Sequence, residues 1–310
     1  MEQGDYDLII AGGGPAGLTA GLYAARARLR VLLVEKMTPG GQAATTFQIE
    51  NYPGFAQGIS GPDLAQAMED QAKRFGLEAT YGEAKGLRSR VPFWELEFGE
   101  RKVSAKAVIV ATGVEPRKLG VPGEETLRGR GVSYCATCDG PFFKDQDIGV
   151  VGGGDSAVEE AIYLTRFARR VYLVHRRDTL RAEKVIQERA LENPKIEFLW
   201  DTVVTRVVGD SGVEALEVQN VKTQSARVLK VEGVFFYVGS LSNTGFVKGV
   251  LDLDDQGYIL TDETMATSAA GVFAAGDVRK KLLRQVATAV GDGATAAFAA
   301  EKYIESRKWP

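Results

Sequence analysis

The chain's two cysteines stand in the run Cys135-Ala136-Thr137-Cys138-Asp139. Two thiols separated by two residues can close a small disulfide and reopen it, so the pair can store two electrons. A structural zinc site is the competing chemistry, and a closed zinc site takes four ligands, usually Cys or His. The chain offers no third cysteine, and its single histidine, His175, stands far beyond Cys135 in the sequence. An intrachain thiolate zinc site therefore fails by counting. No metal is expected, and redox chemistry is the better reading.

The elements around the dithiol form an approximate internal repeat. Residues 12–36 read GGGPAGLTAGLYAARARLRVLLVEK, and residues 152–176 read GGGDSAVEEAIYLTRFARRVYLVHR. Each copy follows a short β-branched run, continues into a helix-forming stretch and ends in a second apolar strand. That order is the βαβ unit of a dinucleotide-binding fold. One glycine motif is weak evidence, whereas two in matched contexts are strong. Gly12 and Gly152 permit the sharp turn, and Gly14 and Gly154 present no side chain to a pyrophosphate. Gly17 permits close packing of helix on strand, and Ala157 is small enough for the same job.

The far ends of the two copies differ. Counting the same distance from the first glycine of each reaches Glu35 in one copy and His175 in the other. A carboxylate can accept hydrogen bonds from ribose hydroxyls, as an adenosine without a 2′-phosphate requires. The second copy instead carries His175-Arg176-Arg177, followed by Arg181. Guanidiniums clamp a 2′-phosphate through charge-assisted bonds, so this site is expected to prefer NADPH to NADH. The competing reading is a solvated basic loop.

Composition bounds the rest. A chain of 310 residues with 45% hydrophobic and 25% charged content is an ordinary globular protein, long enough for two domains. Its net charge of −3 gives no reason to expect nucleic acid or an anionic membrane as a partner. No apolar run of membrane-spanning length and no basic-then-apolar signal segment is seen. Two cysteines in such a chain suggest a working dithiol in a reducing cytoplasm.

The sequence resembles the low-molecular-weight thioredoxin reductases over essentially its whole length. The resemblance is carried by Gly40-Gly41-Gln42, Glu50-Asn51-Tyr52-Pro53-Gly54, Ala111-Thr112-Gly113, Cys135 to Gly140, His175-Arg176-Arg177 with Arg181-Ala182-Glu183-Lys184, and Gly276-Asp277 with Arg284-Gln285. It implies an α/β, three-layer protein with two Rossmann-like domains. An FAD-binding domain at residues 1–115 and 246–310 is split by an inserted NADPH domain, 116–245, that carries the CxxC. It also implies FAD contacts at Gly12, Gly14, Gly17, Glu35, Gly41, Gln42, Asn51, Thr112, Gly113, Gly276, Asp277, Arg284, Gln285 and Val286. NADPH contacts follow at Gly152, Gly154, Ser156, Ala157, His175, Arg176, Arg177 and Arg181. Asp277 would hold the ribityl chain, although a helix N-cap is the other reading of that residue.

The implied reaction carries electrons from NADPH to FAD, to the Cys135–Cys138 disulfide, and on to oxidised thioredoxin or a thioredoxin-like protein. The resemblance assigns Cys138 to the flavin side and Cys135 to attack on the partner. Asp139 would protonate a leaving thiolate, with a turn-forming role in Asp139-Gly140-Pro141 as the alternative. It further implies a homodimer, and rotation of the NADPH domain to alternate access to the flavin. Phe142-Phe143 reads either as a thioredoxin contact or as core.

Departures from the family pattern are Phe47 beside Ala43-Ala44-Thr45-Thr46, Ser242 where relatives often place proline, and the loop Lys280-Lys281-Leu282. Neither of the last two is expected to touch a chemical group. The Trp309-Pro310 tail reads as a frayed terminus, with stacking on the flavin as the alternative. Rival functions are a reductase of another thioredoxin-like or peroxiredoxin-system protein, a small-molecule dithiol oxidase, a ferredoxin– or flavodoxin–NADP reductase, and a redox sensor.

Overall fold

The computed structural model describes residues 5–46, 49–134 and 136–309, and for Thr137, Cys138 and Ser240 the backbone alone. Phe47, Cys135 and Pro310 therefore lie outside the described residues. The chain divides into two compact units, 1–115 with 241–310, and 116–240.

In the first unit the apolar run Tyr6–Ala11 forms the central strand of a seven-stranded sheet. It pairs in parallel with Val31–Glu35 on one side and Arg101–Val110 on the other. Glu78–Tyr81 and Val272–Ala274 extend the parallel part, while Phe93–Phe98 and Ala84–Arg90 add antiparallel strands. Side chains alternate across a strand. Leu8 and Ile10 accordingly pack with the helices Pro15–Arg26 and Val286–Glu305 on one face, and Ile9 and Ala11 with Leu96, Val247 and Ile259 on the other. Each such buried aliphatic side chain contributes about 1.5–3 kcal/mol relative to exposure.

Trp309 is docked, contrary to the expected fraying of the tail. The indole Nε1–H of Trp309 donates to the Ile304 carbonyl at 2.7 Å, and its ring stacks on Phe93 with centroids 5.8 Å apart. An aromatic side chain with an internal acceptor and an apolar platform gains more from packing than from solvent.

The second unit repeats the pattern. Strands run in the order Ile196–Leu199, Arg170–Val174, Asp147–Gly152, Gly233–Tyr237 and Val132–Ser133, all parallel. Helices Asp155–Leu164 and Lys184–Leu191 supply Ala161, Leu164 and Ile186 to the core on one face, beside Val150 and Leu173. The three-stranded antiparallel sheet of Thr202–Val208, Ala215–Asn220 and Ala226–Lys230 covers the other face through Val204, Leu216 and Leu229. Both units are thus α/β, with layers on both faces of a sheet that is parallel in the second unit and mixed in the first. Among the described residues no helix is long and apolar enough to cross a membrane.

Candidate functional site

The strand Tyr6–Ala11 hands over to the helix Pro15–Arg26 through the first glycine turn. Gly12 has φ +106°, and a Cβ there would strike the Ala111 carbonyl. A Cβ on Gly17 would strike the Gly12 carbonyl, so helix and strand approach only because both positions lack a side chain. Open space surrounds Gly14, and the helix N-terminus behind it carries no side-chain cap. Such an end presents free N–H groups to an anion. Glu35 reaches back across the turn: Oε2 accepts from the Gly13 N–H at 2.6 Å and Oε1 from the Met37 N–H at 2.9 Å. The Gly40 N–H donates to the Gly13 carbonyl at 2.7 Å, which brings exposed Gly41 and Gln42 to the same turn.

Three further segments converge within this unit. Thr112 and Gly113 follow the strand Arg101–Val110 and are locked by Asn243. Thr112 Oγ1 donates to the Asn243 carbonyl at 2.8 Å, Asn243 Nδ2 to the Thr112 carbonyl at 2.9 Å, and the Asn243 N–H to the Gly113 carbonyl at 3.0 Å. Asn51 Nδ2 donates to Gln285 Oε1 at 3.1 Å. Gln285 also caps the helix Val286–Glu305 in a reciprocal box with Thr288, and Val286 packs beside Ala43, Ile49 and Leu64.

Asp277 sits just past the strand Val272–Ala274, in a short turn begun by Gly276. Its Oδ1 is buried and has no hydrogen-bond partner among the described residues. Burial raises its pKa above the ordinary carboxyl value, against the opposing pull of Lys281 and Arg284. An orphaned buried carboxylate oxygen costs free energy unless a ligand hydroxyl supplies the missing donor. Arg284 lies with its guanidinium 4.0 Å from the Tyr258 ring centroid, and its Nε is 3.5 Å from the Asp277 carbonyl.

The turn itself is held by a buried ionic group that sequence reasoning missed. Asp292 accepts from the Gly276 N–H at 3.1 Å, from Arg279 Nε at 3.0 Å and from Lys281 Nζ at 2.7 Å. The Lys281 side chain is only 7% exposed. Lys281 thus belongs to the structure of the turn. Ser242 also has a definite partner, donating from Oγ to the Gly257 carbonyl at 2.7 Å.

In the second unit the turn Gly152-Gly153-Gly154 leads into the helix Asp155–Leu164. Open space again surrounds Gly154, Ser156 is exposed and Ala157 is buried against the turn. His175 follows the adjacent strand Arg170–Val174 and is 5% exposed, with its ring seated directly over Gly153. Its Nε2 lies 3.0 Å from the Thr179 carbonyl, so that nitrogen carries the proton. Burial, with Arg181 and Arg177 adding, lowers its pKa below the ordinary imidazole value. The buried ring shapes the loop, whose Arg181 N–H bonds the Gly153 carbonyl at 2.6 Å. Arg176, Arg177 and Arg181 are exposed, and the charges of Arg181 and Arg177 bear on His175.

The dithiol segment belongs to the same unit. Cys138 lies in the short helix Ala136–Asp139, and half-buried Asp139 begins the turn Gly140–Phe143. The two phenylalanines divide: Phe143 is core, edge-on to Phe235 at 5.4 Å, whereas Phe142 is 76% exposed.

Comparison with known proteins defines the class. Residues 6–293 match the family of pyridine nucleotide-disulphide oxidoreductases. The chain is 50% identical to a thioredoxin reductase of Listeria monocytogenes over 99% of its own length and 96% of that protein's. It is 47% identical to a thioredoxin reductase of Bacillus subtilis, covering 98% and 96%. Among solved structures, Lactococcus lactis thioredoxin reductase superposes with a TM-score of 0.95 at 45% identity, covering 98% of this chain and 100% of that one. The T. acidophilum thioredoxin reductase gives 0.93 at 34% identity, covering 98% and 99%. This chain belongs to the pyridine nucleotide-disulphide oxidoreductases and, within them, to the thioredoxin reductases.

Proposed function

We propose that the chain is an NADPH-dependent flavoprotein that reduces thioredoxin through Cys135 and Cys138. One observation supports the assignment of the two nucleotides most: two glycine turns of the same form carry opposite charges at their far ends. At the first, Glu35 occupies the Gly13 N–H, and at the second exposed Arg176 and Arg177 follow His175 while the Arg181 N–H bonds the Gly153 carbonyl. A carboxylate repels a 2′-phosphate and guanidiniums hold one, which favours FAD at the first turn and NADPH at the second.

The residues fit these groups. Gly12, Gly14, Gly17 and Glu35 would hold the FAD pyrophosphate and ribose, and the free Oδ1 of Asp277 would accept from a ribityl hydroxyl. Gly41, Gln42, Asn51, Thr112, Gly113, Gly276, Arg284, Gln285 and Val286 would line the rest of that site. Gly152, Gly154, Ser156 and Ala157 would receive the NADPH pyrophosphate, His175 would shape the loop, and the arginines would bind the 2′-phosphate. When bound, FAD supplies a two-electron store between the nicotinamide and the disulfide.

Transfer to the partner is thiol–disulfide exchange. The Cys135 thiolate attacks one sulfur of the thioredoxin disulfide and releases the other as a thiolate. Cys138 then attacks Cys135 in the mixed disulfide, closing the Cys135–Cys138 bond and freeing the second thioredoxin sulfur. Each released thiolate takes up a proton, for which Asp139 is the proposed donor. A homodimer in the cytoplasm is the setting we assign, in keeping with a dithiol that must stay reducible.

Anaerobic addition of NADPH to the yellow protein should bleach the flavin absorbance, and oxidised thioredoxin should restore it. Bleaching without restoration would identify a different acceptor, and no bleaching by NADPH would overturn the assignment of the second turn.

A further inference from the structure

The strand Gly233–Tyr237 turns its last two side chains to opposite faces of the sheet, and each meets a neighbour of Cys135. On one face the Phe236 ring packs against Tyr134, with centroids 6.1 Å apart. On the other, the Tyr237 hydroxyl accepts a hydrogen bond from the Ala136 N–H at 3.0 Å. The residues immediately before and after the first cysteine are therefore tied to the end of one strand.

Tyr134 has a second anchor. Its hydroxyl donates to Glu124 Oε1 at 2.7 Å, and the same carboxylate accepts from the backbone N–H groups of Leu119 and Gly120. Glu124 is 1% exposed, a buried acid compensated by these three donors. The Arg128 guanidinium lies 5.4 Å from the Tyr134 ring centroid on top of this arrangement. Burial and Glu124 push the Tyr134 phenol well above its ordinary pKa, so it remains a donor. Burial and Glu160 do the same for Tyr237, with Asp139 adding.

We propose that Tyr134 and Tyr237 are positioning residues for the dithiol, holding the backbone on both sides of Cys135 and thereby setting the balance between the disulfide and dithiol forms of the Cys135–Cys138 pair. The inference rests on the redox role proposed above for that pair. A side-chain hydrogen bond is worth enough that losing one differently in the two forms shifts their equilibrium roughly three- to tenfold. For a two-electron couple that is about 14–30 mV.

The test uses the FAD-loaded full chain and its Tyr134→Phe and Tyr237→Phe variants, with Tyr172→Phe as control. Tyr172 lies in the same unit, and its hydroxyl meets Arg170 and not a neighbour of Cys135 in the chain. Each protein is equilibrated with reduced and oxidised dithiothreitol, whose two electrons and two protons pass to the Cys135–Cys138 disulfide as it becomes a cyclic disulfide. Alkylation then traps the thiols. We expect a three- to tenfold shift in the equilibrium constant for both variants and none for Tyr172→Phe. Values within twofold of the wild type in both variants would overturn the proposal. In the wild type, rapid unprotected exchange of the Ala136 amide hydrogen would overturn it as well, without requiring any variant to fold. If the wild type fails to take electrons from NADPH yet the variants shift the dithiothreitol equilibrium, the functional reading falls and the positioning role stands.

Discussion

Asn51 and Gln285, far apart in the chain, meet through a hydrogen bond of 3.1 Å from the Asn51 amide to Gln285 Oε1. Gln285 at the same time caps the long C-terminal helix with Thr288. One side chain therefore couples the segment that holds Asn51 to the helix start that follows Arg284. Replacing Asn51 by Ala removes a bond worth about 1 kcal/mol, so FAD should be released roughly fivefold more readily. Dialysis of the holoprotein followed by flavin fluorescence measures this directly.

Asp292 balances two cations, Arg279 and Lys281, in a nearly closed site. In Asp292→Asn those largely buried charges lose the carboxylate that pairs with them, at a cost of about 3–5 kcal/mol. Thermal unfolding should show a large fall in Tm, and Lys281→Met in the same background should recover part of it. Equal stability of wild type and Asp292→Asn would show the ion pairs to be energetically idle.

Arg176, Arg177 and Arg181 are exposed and follow the strand that packs beside the second glycine turn. Each charge-assisted bond to a 2′-phosphate is worth about 1.5–3 kcal/mol. Alanine at Arg176 and Arg177 together should raise KM for NADPH by about 100-fold or more and leave KM for NADH nearly unchanged. Steady-state kinetics with both nucleotides separates this from a general loss of activity.

Gly153 is the seat of the His175 ring, which a Cβ at this position would strike. Gly153→Ala should expel the imidazole and disorganise the loop through Arg181, weakening NADPH binding while leaving FAD content intact. The histidine itself reports the change. Its pKa, lowered by burial in the native protein, should return toward the ordinary imidazole value in the variant's NMR titration.

Glu160 lies on the helix Asp155–Leu164, where burial, with Glu159 adding, raises its pKa from 4.5 to about 8. The folded chain then binds more protons than the unfolded chain between those two values. Stability is therefore highest below the lower one, falls as pH rises through the window and levels off above the upper one. Glu160→Gln should flatten this dependence and raise Tm by roughly 3 °C or more near pH 8. Identical slopes for variant and wild type between about pH 5 and about pH 8 would assign the pH dependence to other groups.

Much of this protein could be read in chain order, because its signals are local. The two glycine turns, the apolar strands that flank them and the charges at the far end of each βαβ unit lie within short windows. Backbone geometry and side-chain period act over those same windows. The exclusion of zinc needed only a count of ligands.

What chain order left open was decided by contacts between distant segments. Lys281 looked like a loop residue because nothing near it in sequence shows that Asp292, on the helix that follows, faces it in the folded unit. Trp309 looked like a frayed end because its platform, Phe93, belongs to a strand in the N-terminal half of the chain. His175 lay at the expected nucleotide position, but only the fold shows its ring buried on Gly153, where burial lowers its pKa. The tyrosines beside the dithiol carry no local signature, since a hydroxyl acquires its role only from the partner that folding brings to it. Burial and desolvation belong to the assembled unit and not to any residue in it, and for that reason the tertiary structure alone could assign them.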